Sequence, residues 1–224
     1  GKDVYPKLHD KLKESGFDKK EPISKQLYDI YGLYPAPGDR HVGEFFPYYM
    51  KEEVLMEQDY EWKNNDFKVV DGWREEARVL FDEVRTKKEG YEEFLKGSGE
   101  TATYFIRSLA TGDISDEMVN VINNGYIDNV SSGIIVELPT YIDEFGLHPQ
   151  KIGKLPDAIA AQCDRLGREY LLMVEAAATC NYELARQAMF LDPLVSNCKY
   201  PELLLKDLIR ANLDLLPEAW EKHC

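Results

Sequence analysis

The residues most able to do chemistry lie in one segment, from Gly38 to Tyr49. It combines titratable and aromatic side chains, namely Asp39, Arg40, His41 and Glu44 with Phe45, Phe46, Tyr48 and Tyr49. Carboxylates and imidazoles can move protons, and a guanidinium can bind a carboxylate as a planar fork. Plain connecting loops seldom carry such a mixture, so the segment is a candidate functional loop.

Other catalytic patterns are missing from the sequence. It contains no G-x-G-x-x-G or Walker-type loop, no His-x-x-x-His pair and no G-x-S-x-G elbow. The four cysteines are 17, 18 and 26 positions apart, which is too far for a short metal-binding pair. We expect reduced thiols, and neither a cofactor nor a metal bound by this chain alone. Its chemistry would rest on carboxylates, tyrosines and lone histidines.

Composition limits the partners. The 27 basic and 41 acidic residues give a net charge of −14, which repels nucleic acid and anionic lipid. No apolar run approaches the ~20 residues of a membrane span, and the start of the chain lacks the pattern of a signal peptide. We therefore expect a soluble, cytoplasmic protein with no nucleic-acid and no membrane partner.

The elements that position the loop are mostly helical. Apolar spacing predicts helices over about 4–12, 23–31 and 103–111, and long surface helices within 51–96. Prolines and glycines interrupt any regular period from Leu33 to Tyr49, which predicts a loop there. Ser115, Asp116 and Glu117 are typical of the start of a turn or short helix that reaches Ile122.

The second half of the chain holds the β-rich stretches and the longest helix. β-Branched residues predict a small antiparallel element at 126–130 and 134–138. Helices are predicted from Asp157 to about 179, from Tyr182 to Leu191, and from Pro201 through Leu216. Together, the predicted helices and strands indicate an α+β fold that is predominantly α, without a parallel sheet.

Several motifs resemble family 4 of the glycoside hydrolases in its C-terminal region. They lie within YIDNVSSGIIVELPTYIDEFGLHPQKIGKLPDAIAAQ, which begins at Tyr126, and EAAATCNYELARQAMFLDPL, which ends at Leu194. Upstream, GKDVYP at the start of the chain and GDRHVGEFFP from Gly38 to Pro47 look like two further motifs of that family. The resemblance implies one C-terminal substrate and oligomerisation domain over residues 1–224, of the lactate/malate dehydrogenase-like type.

The resemblance also implies an activity and its cofactors. Family members use NAD and a divalent metal, usually manganese, in an oxidation, elimination and addition route that is an exception among glycosidases. The family's N-terminal NAD-binding Rossmann domain and its metal ligands precede the stretch that begins here at Gly1. We therefore expect that portion to be missing from this chain. We also expect the protein to form a homo-oligomer, and this chain by itself to have no activity.

The resemblance assigns roles within the loop. Asp39 is the candidate base that removes the proton from carbon 2 of the sugar, and Arg40, His41 and Glu44 are candidates for substrate binding. The alternatives stay open, since Asp39 can cap a turn, Arg40 can pair with Asp39, and His41 and Glu44 can bond to the backbone. An unphosphorylated α-glycoside is favoured, with an α-uronide first because Arg40 could bind its carboxylate.

Two other classes of function compete with a glycosidase. The chain could be the substrate domain of a lactate- or malate-type dehydrogenase, whose fold the family shares. It could also be a catalytically silent oligomerisation module, since its aromatic helices would suit a subunit interface. Sugar cleavage that requires NAD without consuming it would separate the first alternative from a glycosidase.

Overall fold

The computed structural model describes residues 3–14, 21–49, 67–87, 91–92 and 101–223. The chain divides into two compact units. The helical unit comprises Gly1–Asp59, Ile122–Ile135 and Gly153–Cys224, and the sheet unit comprises Tyr60–Val121 and Val136–Ile152. The predicted α-rich fold with a small antiparallel sheet is confirmed. No helix among the described residues is long and apolar enough to cross a membrane.

The helical unit begins with α1 (Tyr5–Glu14), α2 (Pro22–Tyr31) and α3 (Asp39–Val42). The first two were predicted, and α2 ends at Gly32, whose φ of 70° is left-handed and suits glycine. The predicted loop contains more structure than its prolines and glycines suggested. It holds α3 and two 3-10 turns, Gly43–Phe45 and Pro47–Tyr49.

The sheet unit contains α4 (Phe67–Lys87), α5 (Ala102–Thr111), β1 (Ser115–Ile122), β2 (Ile135–Asp143) and β3 (Gly146–Pro149). The strands are ordered β1-β2-β3, and β2 runs antiparallel to β3 with Tyr141 opposite His148. The predictions for α5 and for a strand at 134–138 are confirmed. Of the helices expected within 51–96, α4 is confirmed, and residues 51–66, 88–90 and 93–96 lie outside the described residues.

The prediction of a turn or short helix from Ser115 to Ile122 is wrong, because this stretch is β1. Its accessibility alternates along the strand, with Val119 buried between the exposed Met118 and Asn120. Alternation of this kind places one face of a strand inward and the other toward solvent. The acidic residues at its start are typical of a helix N-terminus, which led to the wrong prediction.

The connection from β1 to β2 belongs to the helical unit and is organised by Asn123, which is fully buried. Its amide nitrogen donates to the carbonyls of Ile127, Val130 and Ser131, and its Oδ1 accepts from the Ile127 N–H. The strand expected at 126–130 is therefore a compact loop. Its one bridge is parallel and joins Ile127 to Gly153.

Three helices complete the helical unit, as predicted: α6 (Asp157–Thr179), α7 (Tyr182–Leu191) and α8 (Pro201–Ala211). Asn181 caps α7 by accepting the N–H groups of Glu183 and Leu184. The last helix ends at Ala211, five residues before the predicted end at Leu216, and turns follow it. Trp220 then packs against Leu205 and Ile209 of α8 in a buried cluster.

Candidate functional site

Asp39, the candidate base, is the first residue of α3 and is 8% exposed. Its Oδ2 accepts the N–H of Ile23 and its Oδ1 accepts the N–H of Ser24, both at 2.7 Å. These are two of the N–H groups that helix α2 leaves unpaired in its first turn. Asp39 therefore caps a helix that begins 17 residues before it in the chain.

Glu21 completes a reciprocal arrangement with Asp39. The N–H of Asp39 donates to Oε2 of Glu21 at 2.7 Å, so each segment caps the other, much as in a capping box but between two separate helices. Burial, followed by the negative charges of Glu21 and Asp39, raises the pKa of the nearby Tyr34. The loop is thus held against α2 by two carboxylates in one small region.

The other three candidates on the loop are His41, Glu44 and Arg40. His41 is exposed and Glu44 is partly buried, and no hydrogen bond joins either side chain to another described residue. The backbone of Arg40 lies in α3, and its side chain is outside the described part of the structure. The alternative in which His41 and Glu44 bond to the described backbone is not observed.

Aromatic rings fix the second half of the loop. Phe46 lies 5.8 Å from Tyr48 and 6.1 Å from Tyr31, measured between ring centroids. Tyr49 is buried, and its hydroxyl donates to Oε1 of Gln26 on α2 at 2.5 Å. Aromatic pairs at these separations stabilise beyond their buried area. The loop therefore has a defined conformation on α2 that could present its polar side chains to a substrate.

A cavity of about 470 Å³ lies on the apolar side of the loop. Tyr31, Val42 and Phe46 form part of its wall, and Ile159 and Cys163 of α6 form another part. Its volume is within the range of small-molecule pockets, but none of Asp39, His41 and Glu44 is among its lining residues. The polar candidates thus lie on the loop beside this cavity and not in its wall.

The described residues were compared with the ligand set of a metal site. Within residues 3–14, 21–49, 67–87, 91–92 and 101–223, no three His, Cys, Asp or Glu side chains come together as metal ligands would. Cys163 is exposed, but desolvation of its thiol, with a smaller effect of Asp164, raises the pKa of that thiol, which disfavours a reactive thiolate there.

Two carboxylates, one at the loop and one on α6, were missed by sequence reasoning. Glu21 precedes a proline that signals a helix start, but its bond to Asp39 depends on tertiary structure that no local pattern encodes. Glu169 of α6 was not singled out in the sequence, and it is 3% exposed. No sequence signal marked it, because Gly167, which lies in close contact with Ile134, is two positions earlier and therefore on a different face of the helix.

Comparison with known proteins adds a family match. A model described as "Family 4 glycosyl hydrolase C-terminal domain" matches residues 1–195. An alpha-galactosidase of Bacillus subtilis (strain 168) is 29% identical, over 97% of this chain and 51% of its own length. An alpha-galacturonidase of Thermoanaerobacterium saccharolyticum is 30% identical, over 97% of this chain and 50% of its own.

A solved structure agrees with these matches in fold. It is a 6-phospho-alpha-glucosidase from gut microorganisms in complex with NAD and Mn²⁺, with a TM-score of 0.75 and 19% identity, over 97% of this chain and 51% of that one. At this identity the likeness shows the fold alone. The chain spans about half the length of the relatives that it matches. The resemblance noted in the sequence is thereby confirmed.

Proposed function

Because this chain belongs to family 4 of the glycosyl hydrolases and provides its C-terminal domain, we propose that it is the substrate-side part of a glycosidase. The predicted fold, a C-terminal domain of the lactate/malate dehydrogenase-like type, is confirmed. The observation that carries the proposal is the match of the family model over residues 1–195. It favours a glycosidase over the dehydrogenase and the silent module considered from the sequence.

We propose an unphosphorylated α-glycoside as the substrate, with an α-uronide first. Two observations support this choice: an alpha-galactosidase and an alpha-galacturonidase are both similar to nearly the whole chain, and Arg40 lies next to the capped Asp39 at the start of α3. A guanidinium there would bind the planar carboxylate of a uronic acid in two parallel hydrogen bonds.

The reaction proposed for the whole protein is the family's NAD- and manganese-dependent cleavage. NAD and Mn²⁺ would be held by groups other than the described residues, and they are proposed because the motifs of this chain resemble a family whose members use both. The part assigned to this chain is to bind and orient the sugar, through Arg40, His41 and Glu44, and to hold a base beside it. Asp39 remains the proposed base at carbon 2 of the sugar.

The test of substrate compares 4-nitrophenyl α-galacturonide with 4-nitrophenyl α-galactoside, using the full-length protein supplied with NAD and Mn²⁺. The proposal expects cleavage of the uronide, and Arg40→Lys should lower kcat/KM for the uronide by about tenfold or more, since a fork of two hydrogen bonds becomes a single point charge. Arg40→Lys should change galactoside cleavage little. Equal loss on both substrates would contradict the assignment of Arg40.

The base assignment is tested by proton exchange. In D₂O, a base that removes and returns the proton at carbon 2 leaves deuterium there in the released sugar, which NMR detects. Asp39→Ala should abolish both turnover and deuterium incorporation, while Asp29→Ala, which removes an exposed carboxylate from α2, should do neither. Retained incorporation in a folded Asp39→Ala protein would show that another group is the base.

A homo-oligomeric state and a cytoplasmic location complete the proposal. The exposed apolar side chains of α6 support the first, with Tyr170 at 52%, Leu171 at 45% and Val174 at 65% exposure, since apolar side chains left on a surface favour association. Light scattering after size exclusion should show more than one copy per particle. Val174→Glu should reduce that number if this face is the interface, and an unchanged oligomer would exclude it.

A further inference from the structure

A buried carboxylate without a full set of partners lies on α6, away from the loop. Glu169 is 3% exposed, and its Oε2 has no hydrogen-bond partner among the described residues. Trp220 is 5% exposed, and its indole Nε1 likewise has none within the described part of the chain. Buried polar groups of this kind are costly and uncommon in folded proteins. The unpaired carboxylate oxygen of Glu169 marks a place where a hydrogen-bond donor would be favourable.

Glu169 and Trp220 line the same cavity. It measures about 510 Å³ and lies among α6, α7, α8 and the turns that flank α8. The rest of the wall is mainly apolar, with Met173, Met189 and Leu204 among its side chains. A concave apolar site of this size that contains a few polar groups is the usual form of a small-molecule pocket.

Charge defines the chemistry of a fitting ligand. Asp192 also lines the cavity, and it uses Oδ1 to accept the Leu194 N–H. Burial, then the charge of Asp192, raises the pKa of Glu169 to about 7, and Arg165 lowers it in part. The two carboxyl groups and one guanidinium leave one negative charge in excess when Glu169 is ionised.

We propose that this cavity is a binding site for a small aryl-alkyl amine, whose ammonium group pairs with Glu169 while its apolar part fills the space beside Trp220. An ammonium carries donors only, which suits an unpaired carboxylate oxygen, and it cancels the excess charge. An aromatic side chain such as Trp220 also attracts a cation that lies over its ring. An anion would be repelled by Glu169 and Asp192.

The test uses 2-phenylethylamine as the probe and 2-phenylethanol as its uncharged match. Titration of the protein is followed by calorimetry and by the indole N–H signal of Trp220, identified through Trp220→Phe. We expect saturable binding of the amine at pH 8, at least ten times tighter than that of the alcohol, with movement of the Trp220 signal. Glu169→Gln should bring the two affinities together, and Glu175→Gln, an exposed position on α6, should leave the preference intact.

The same titration at pH 6 provides a measurement that needs no variant. A primary amine stays protonated across this range, so the change in affinity reports Glu169 and the groups that face it, Asp192 and Arg165. With a pKa of about 7 for Glu169, the ionised fraction falls about tenfold from pH 8 to pH 6, and the affinity should fall equally. Equal binding of amine and alcohol, no saturable binding, an unmoved Trp220 signal, or affinity independent of pH would each overturn the proposal.

Discussion

Replacement of Glu169 by glutamine should stabilise the protein, and by an amount that depends on pH. Glutamine has nearly the same shape and keeps a carbonyl oxygen, but it cannot ionise. Burial, followed by the charge of Asp192, raises the pKa of Glu169 to about 7 from its ordinary 4.5. The native protein therefore holds the proton of Glu169 more tightly than the unfolded chain does.

The sign and the size of the effect follow from this difference. Below pH 4.5 the carboxyl is neutral in both states and does not lower the stability of the native state. As the pH rises from 4.5 to about 7, the unfolded state loses its proton first, so the stability of the native state falls, and above 7 the loss is complete. The difference between the pKa of 4.5 in the unfolded chain and about 7 in the native protein corresponds to a loss of at most about 3 kcal/mol in the free energy of unfolding.

The assay is urea unfolding of the wild type, Glu169→Gln and Glu175→Gln between pH 4.5 and pH 8. At pH 8 the free energy of unfolding of Glu169→Gln should exceed that of the wild type by up to about 3 kcal/mol, which corresponds to a rise in Tm of roughly 6–12 °C for a domain of this size. At pH 4.5 the two free energies should be almost equal. The control should match the wild type throughout. A difference that is constant with pH, or absent at pH 8, would refute the argument that ionised Glu169 is held in an unfavourable site.

Three further substitutions test other contacts. Asp39→Ala removes the acceptor of two backbone N–H groups and should cost about 1–3 kcal/mol in urea unfolding, whatever its role in turnover. Asn123→Ala should cost roughly 3–5 kcal/mol, because it leaves several buried backbone groups unpaired, while the exposed Asn124→Ala should stay within about 0.5 kcal/mol. Gly167→Ala places a Cβ 2.4 Å from Cδ1 of Ile134 and should cost about 1–3 kcal/mol, partly relieved by Ile134→Val in a double-mutant cycle.

Local patterns predicted the helices of this fold well. The spacing of apolar residues over 157–179 and 182–191 is long and regular, and Asn181 and Pro201 mark the starts of α7 and α8. The end of α8 was overestimated because leucines continue beyond Ala211 in the same rhythm. Beyond Ala211, Leu213 and Leu216 lie in turns and pack against the cluster that contains Trp220.

The strands were harder to predict because two signals competed. Ser115-Asp116-Glu117 is typical of a helix start, and the inward positions of β1 other than Val119 are only partly buried. The opposite error occurred at 126–130, where β-branched residues pack into a loop around Asn123. A buried asparagine that bonds four backbone groups replaces strand pairing there, and its type alone did not distinguish it from a surface turn residue.

Asp39 shows why sequence reasoning posed the wrong kind of choice for the loop. Base and helix cap were treated as alternatives, but a carboxylate offers about four acceptor positions, and the N–H groups of Ile23 and Ser24 use one on each oxygen. Those two bonds fix the orientation of the group, which is what a positioned base requires of its support. A cap contributes to folding and a base contributes to proton transfer, so unfolding and deuterium incorporation measure the two roles of Asp39 separately. Asp39→Asn sharpens the separation, because an amide still accepts one of the two N–H bonds but cannot remove a proton, and it should therefore lose incorporation while keeping more stability than Asp39→Ala.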